Sequence, residues 1–164
     1  MSLGQWKKLR TLHEVRNPWW IYRKEEFELP SGKKGEYHYV HTNGSSLTIP
    51  VLDDGRIVLV EQYRYLCDQP SLEFPCGSIK DGWTYEETAR AELTEEAGFF
   101  TKKLIQIGEF NPYNGVTDEL CRVYLAKRLE PTQSVPDETE QFERHLLTPQ
   151  QINDKIRAGR IWEA

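Results

Sequence analysis

The chain has 164 residues, 38% of them hydrophobic, and a net charge of −5, which suits one folded domain with a sizeable core. With that acidic balance and no basic run of five or more residues, nucleic acid is disfavoured as an electrostatic partner. No apolar stretch approaches the roughly 18 residues a membrane span needs, and no apolar N-terminal signal segment is visible.

In chain order, residues 16–42 read as strand-rich: Trp19–Tyr22, Glu25–Leu29, a Pro30-Ser31-Gly32 turn, and Gly35–Thr42. Leu47–Leu52 and Arg56–Tyr63 predict a hairpin around Asp53-Asp54-Gly55. Ser71–Phe74 is a short strand that leads into a Gly-rich loop, Cys76–Gly82. A helix follows, with Thr84 and Glu87 as a capping box and Gly98 as its stop. Lys103–Phe110 and Leu120–Arg128 read as strands joined by a turn-rich segment. A polar loop, 130–138, precedes a strand near Phe142–Leu147. The last element is a helix with Thr148 as cap, Pro149 at its first position and Gly159 beyond its end. Strands on both sides of one helix, plus a second helix, give an α/β layered domain.

The cysteines, Cys67, Cys76 and Cys121, are odd in number and form no C-x-x-C pair. That favours reduced thiols in a cytoplasm. His13, His38, His41 and His145 make no zinc spacing. Structural roles are expected for all of these residues.

The helix after the Gly-rich loop carries the main chemical signal. Ala89, Leu93 and Ala97 form its apolar stripe. Glu92, Glu95 and Glu96 lie at offsets of three and four, so they share one side and repel each other. Hard divalent cations relieve such repulsion, and Mg²⁺ accepts carboxylate oxygens while sharing its sphere with substrate phosphates. A solvated acidic face and a cation site are both open readings at this point.

Spacing adds to this. Gly77, Glu92, Leu93, Glu95, Glu96, Gly98 and Phe99 fall in the register of the Nudix box, and the chain from about residue 16 to 162 resembles the Nudix hydrolases. Two box positions differ: Trp83 stands where the box has Glu, and Ala91 where it has Arg. Losing both members of an ion pair leaves no orphan charge, and the large Trp83 is expected to pack against the small Ala91. The resemblance implies a mixed β-sheet between helices with N-terminal antiparallel strands. It also implies a single domain over residues 1–164, with strands to about residue 42 that form a dimer and a catalytic core from 43 onward.

Leu59-Val60-Glu61-Gln62-Tyr63-Arg64, Leu72-Glu73-Phe74-Pro75-Cys76-Gly77 and Pro112–Glu119 resemble the ADP-ribose and nucleoside diphosphate sugar pyrophosphatases. Tyr113 and Asn114 stand as an insertion between the Pro and the Gly of the last segment. By resemblance, Glu92, Glu95 and Glu96 hold Mg²⁺, with Mn²⁺ as the alternative, helped by a backbone carbonyl near Cys76. Glu92 also counts among the catalytic residues. The general base is expected in the acidic loop, at Glu138 in preference to Glu140. Arg64 is expected to fork onto a phosphate, with a surface ion pair as the other reading. Glu73 is assigned to the sugar or the metals, and Glu119 to the ribose. Trp19 or Trp20, with Tyr37, offers a stacking face for a base, or else packs a core or dimer interface.

The implied reaction is Mg²⁺-dependent hydrolysis of a diphosphate bridge in a cytoplasmic homodimer, with no nucleic-acid or membrane partner. A Nudix-fold sensor that has lost turnover, and a Nudix hydrolase of another nucleotide specificity, are the alternatives.

Overall fold

The computed structural model describes residues 4–133 and 141–162. Its best-specified element is helix α1 (Tyr85–Glu95), which opens on a reciprocal cap. Thr84 Oγ1 accepts from the Glu87 N–H at 3.2 Å, and the Glu87 carboxylate accepts from the Thr84 N–H at 2.8 Å. The helix is stopped by Gly98 at φ 66°, a left-handed conformation that costs glycine nothing.

Around it run β1 (Lys7–Arg16), β2 (Ile21–Glu28), β3 (Lys34–His41), β4 (Ser45–Pro50), β5 (Ile57–Arg64), β6 (Gln69–Glu73), β7 (Cys76–Ser78), β8 (Phe99–Phe110), β9 (Cys121–Pro131) and β10 (Glu143–Leu147), and then α2 (Pro149–Arg157). They form three sheets, ordered β1-β2-β3, β10-β5-β6 and β7-β4-β9-β8. The β4–β9 pair is parallel and its neighbours antiparallel, so the third sheet is mixed.

The chain divides into two compact units. The first takes residues 1–44 and 111–120. Its sheet is antiparallel throughout, and the 111–120 segment joins it through a parallel bridge between Val40 and Thr117. His41 Nδ1 lies 2.6 Å from Asp118 Oδ2, and the Tyr37 hydroxyl donates to the Gly115 carbonyl at 3.1 Å.

The second unit takes residues 45–110 and 121–164. Its organiser is β5, which is apolar on both faces. Val58 and Val60 face one way and pack with Leu93, Ala97, Phe99 and Ala126. Leu59 faces the other way and packs with Leu72, Leu147 and Ile152 of α2. The strand is thus covered by a helix-bearing cluster on either face, as a continuous apolar run demands. On β4, Ser46 Oγ donates to the Tyr85 carbonyl at 2.7 Å and Thr48 Oγ1 to the Ala89 carbonyl at 3.3 Å. Short polar side chains facing Ala89 let α1 lie close to the sheet.

Three expectations need correction. The Asp53-Asp54-Gly55 turn forms, with Leu52 N–H to Arg56 C=O at 2.9 Å. Its strands part after a single bridge, Val51 to Ile57, because β4 finds its partners in β7 and β9 and β5 finds its own in β6 and β10. The Gly-rich loop begins as strand, since β7 pairs with β4 over Cys76–Ser78. At the N-terminus, β1 is a full strand where none was expected, and β2 begins after Trp20, leaving Trp19 and Trp20 in the turn before it.

Because α1 depends on its cap, Thr84→Ala should cost about 1 kcal/mol and lower the melting temperature by roughly 2–4 °C, while Thr84→Ser holds it. Thermal unfolding checks this; an unchanged melting temperature for the alanine variant contradicts it.

Candidate functional site

The last turn of α1 and its cap carry three carboxylates, two of which, Glu92 and Glu96, lie against the β7 backbone. Glu96 is 5% exposed, and its Oε2 accepts the Cys76 N–H at 3.0 Å. A Cβ built on Gly77 would fall 2.0 Å from Glu92 Oε1 and 2.2 Å from its Cδ. Glu92 therefore occupies the space that any other residue at 77 would fill. Glu95 is half-buried on the same turn. Hard oxygen donors from one helical turn, seated against a strand backbone, are the donor chemistry that fits Mg²⁺ or Mn²⁺.

The end of the turn is fixed from outside the helix. Arg144 of β10 donates from Nη1 to the Ala97 carbonyl at 3.1 Å, and Thr132 N–H donates to Gly98 C=O at 2.9 Å. A cation at a helix C-terminus satisfies orphan carbonyls and complements the dipole. Nothing in the sequence pairs Arg144 with Ala97, because the contact spans 47 positions.

Cys76 enters through its backbone. Its thiol is pushed well above the ordinary cysteine range, first by a hydrogen bond with Cys121, then by burial and by the charges of Cys121, Glu96 and Glu92. A protonated sulfur is a poor ligand for a hard cation. Cys76 pairs with Leu47 and Cys121 with Ser45, on opposite sides of β4. None of the three cysteines is in a disulfide.

Trp83 does not pack away as expected. It is 42% exposed, with the Lys80 ammonium 5.2 Å from its ring centre. The turn that closes Trp83 N–H onto Lys80 C=O at 3.0 Å leaves the indole at the surface. An Arg–Glu pair does occur on α1, one residue before the box position. Arg90 Nη2 lies 2.8 Å from Glu86 Oε1, one turn earlier, and Nη1 donates to the Thr101 carbonyl of β8. The i, i+4 spacing of Glu86 and Arg90 was the available signal.

Arg64 and Glu73 meet each other. Arg64 Nε donates to Glu73 Oε1 at 2.8 Å and Nη2 to Oε2, a two-pronged pair that Gln62 Nε2 extends at 3.4 Å. Glu73 is buried, with its side chain 9% exposed. Both residues line a cavity of about 310 Å³ together with Leu47, Phe74, Cys76 and Phe110. Cys76 is common to this cavity and to the Glu96 contact.

Four of the remaining candidates lie in the first unit. Trp19 is 79% and Trp20 43% exposed, and their N–H groups both donate to Asn17 Oδ1, at 2.8 and 2.9 Å. Tyr37 is 38% exposed and packs beside Trp6 and Tyr39. Glu119 takes part through its backbone, accepting from Asn111 Nδ2 at 2.7 Å. Glu138 and Glu140 lie outside the described residues.

Among the described residues no helix is long and apolar enough to cross a membrane. The family model for the NUDIX domain matches residues 42–163. An ADP-ribose pyrophosphatase of Bacillus subtilis is 32% identical over 142 residues, 85% of this chain and 77% of that protein. A methanol dehydrogenase activator of Bacillus methanolicus is 29% identical over the same shares of each. Among solved structures, the crystal structure of an ADP compounds hydrolase superposes with a TM-score of 0.82 at 21% identity, over 96% of this chain and 85% of that one. That likeness shows the fold, and the family match together with the Bacillus subtilis relative shows the lineage: the chain belongs to the NUDIX domain family and is a Nudix hydrolase.

Proposed function

We propose that this chain hydrolyses the diphosphate bridge of ADP-ribose or a related nucleoside diphosphate sugar, with Mg²⁺ as its resident cation, to a nucleoside monophosphate and a sugar phosphate. The observation that carries the reading is the seating of Glu96 on the Cys76 N–H and of Glu92 against Gly77, in a chain related to an ADP-ribose pyrophosphatase.

Glu92, Glu95 and Glu96 would hold the cation, with the backbone at Cys76 beside them. When bound, Mg²⁺ neutralises phosphoryl charge and lowers the pKa of a water ligand. Glu96 is anchored before any substrate arrives, so its carboxylate keeps one orientation. The Arg64 guanidinium is held by Glu73 at the wall of the cavity, the place from which it would meet a phosphate oxygen. Glu138, in preference to Glu140, takes the proton of the attacking water. Trp19 or Trp20 with Tyr37 supplies the face for the base, and Glu119 the ribose contact. A cytoplasmic homodimer joined through the N-terminal strands completes the reading.

Two variants test it. Glu96→Gln preserves the shape and the acceptor for Cys76 N–H, so the protein should fold while turnover with Mg²⁺ falls by more than about a hundredfold, beyond the loss typical of an outer-shell partner. In Gly77→Ala the added methyl meets only the far end of the Glu92 side chain. The fold should survive while the displaced carboxylate weakens Mg²⁺ binding, as read by calorimetric titration beside thermal unfolding. The parent should release nucleoside monophosphate and sugar phosphate from ADP-ribose when Mg²⁺ is added and not when it is chelated. Binding of ADP-ribose without cleavage by correctly folded protein would establish the sensor reading instead, and unchanged rates in Glu96→Gln would remove the metal assignment.

A further inference from the structure

A second group of metal-type donors sits on the β10-β5-β6 sheet, in residues to which the proposed reaction gives no role. Glu61 of β5 and Glu143 of β10 are direct partners across the antiparallel pair. Like charges placed directly opposite destabilise a sheet, so this pairing calls for compensation. His145 lies two residues beyond Glu143, on the same face of its strand. Its Nε2 is 3.2 Å from Glu61 Oε2 and 3.8 Å from Glu143 Oε1. The three donor atoms all lie within 4.8 Å of one another.

The two spacings from His145 Nε2 lie near those of a coordination sphere. Zinc bonds to imidazole nitrogen and carboxylate oxygen of about 2.0–2.2 Å give a tetrahedron with edges of roughly 3.3–3.5 Å. The two Nε2–oxygen distances bracket that range. The outer shell is also in place: Arg160 Nη2 lies 3.3 Å from Glu61 Oε1, the oxygen that His145 does not use. A second partner of this kind orients a ligating carboxylate. Glu61, Glu143 and Arg160 line a cavity of about 530 Å³, which leaves room for water to complete the sphere.

We propose that Glu61, Glu143 and His145 form a second divalent-cation site, separate from the α1 carboxylates and selective for a borderline transition ion such as Zn²⁺. One imidazole with two carboxylates suits Zn²⁺, whereas Mg²⁺ demands octahedral oxygen and dehydrates reluctantly. A cation there relieves the Glu61–Glu143 repulsion and clamps β10 to β5. The same β10 carries Arg144 to the end of α1. Bound Zn²⁺ therefore stabilises the strand that closes the helix, by selective binding to the folded state.

The test is titration of the protein with Zn²⁺ in excess Mg²⁺, by calorimetry and by thermal unfolding. The parent should take up one Zn²⁺ per chain and melt at a higher temperature with it. Glu96→Gln should bind Zn²⁺ as the parent does, because the α1 carboxylates are not the site. Glu143→Gln and His145→Gln should each lose more than about tenfold in Zn²⁺ affinity, together with the rise in melting temperature. The Glu143 side chain is 77% exposed, so its variant can be compared as a folded protein even where His145→Gln is destabilised. Absence of Zn²⁺ binding by the parent overturns the proposal, as does parental affinity in Glu143→Gln. So does loss of Zn²⁺ binding in Glu96→Gln alone.

Discussion

The constraint on which the candidate site rests is the close approach of an acidic helix end to a strand backbone. A buried carboxylate needs a hydrogen-bond donor, and Glu96 has the Cys76 N–H. Glu92 needs space at the strand, and only glycine at 77 leaves it. Both conditions hold only if α1 lies tight against β4 and β7. The Ser46 and Thr48 bonds to helix carbonyls and the small Ala89 bring it there. Position, not an excess of acidic residues, separates this turn from a solvated helix face.

The rest of the second unit keeps that turn still. Leu93 is fully buried among Val58, Val60 and Phe99, a burial worth about 1.5–3 kcal/mol. It points from the same helix turn as the glutamates, so core packing and carboxylate placement are one event. Arg144 ties the helix end to β10, and Arg90 ties its middle to β8. On the other face of β5, Leu59 joins the α2 cluster, so the strand that ends in Arg64 is held from both sides.

What the sequence made legible followed the range of the interactions. The whole of α1 could be read because its signals are local: a capping box three residues apart, an apolar stripe and a terminal glycine. The turn at Asp53-Asp54-Gly55 was equally local, but the pairing beyond it was not. Parallel pairing of Ser45 with Cys121 leaves no trace in either segment. Strand β1 escaped because almost every one of its residues is exposed, so no alternation marks it. Strand β7 escaped because three residues with a central glycine look like loop. The carboxylates of the candidate site were singled out by local spacing and the NUDIX resemblance together. The Arg144 cap and the His145–Glu61 contact join residues 47 and 84 positions apart and became visible only in three dimensions.

The central claim is that Glu92, Glu95 and Glu96 grip the cation on which phosphoanhydride cleavage depends. The most direct measurement is anomalous diffraction from crystals soaked in Mn²⁺ with a non-hydrolysable nucleoside diphosphate sugar. The account predicts a manganese peak among these three carboxylates, beside the backbone of Cys76. Nucleotide density with no manganese at that helix end would contradict it.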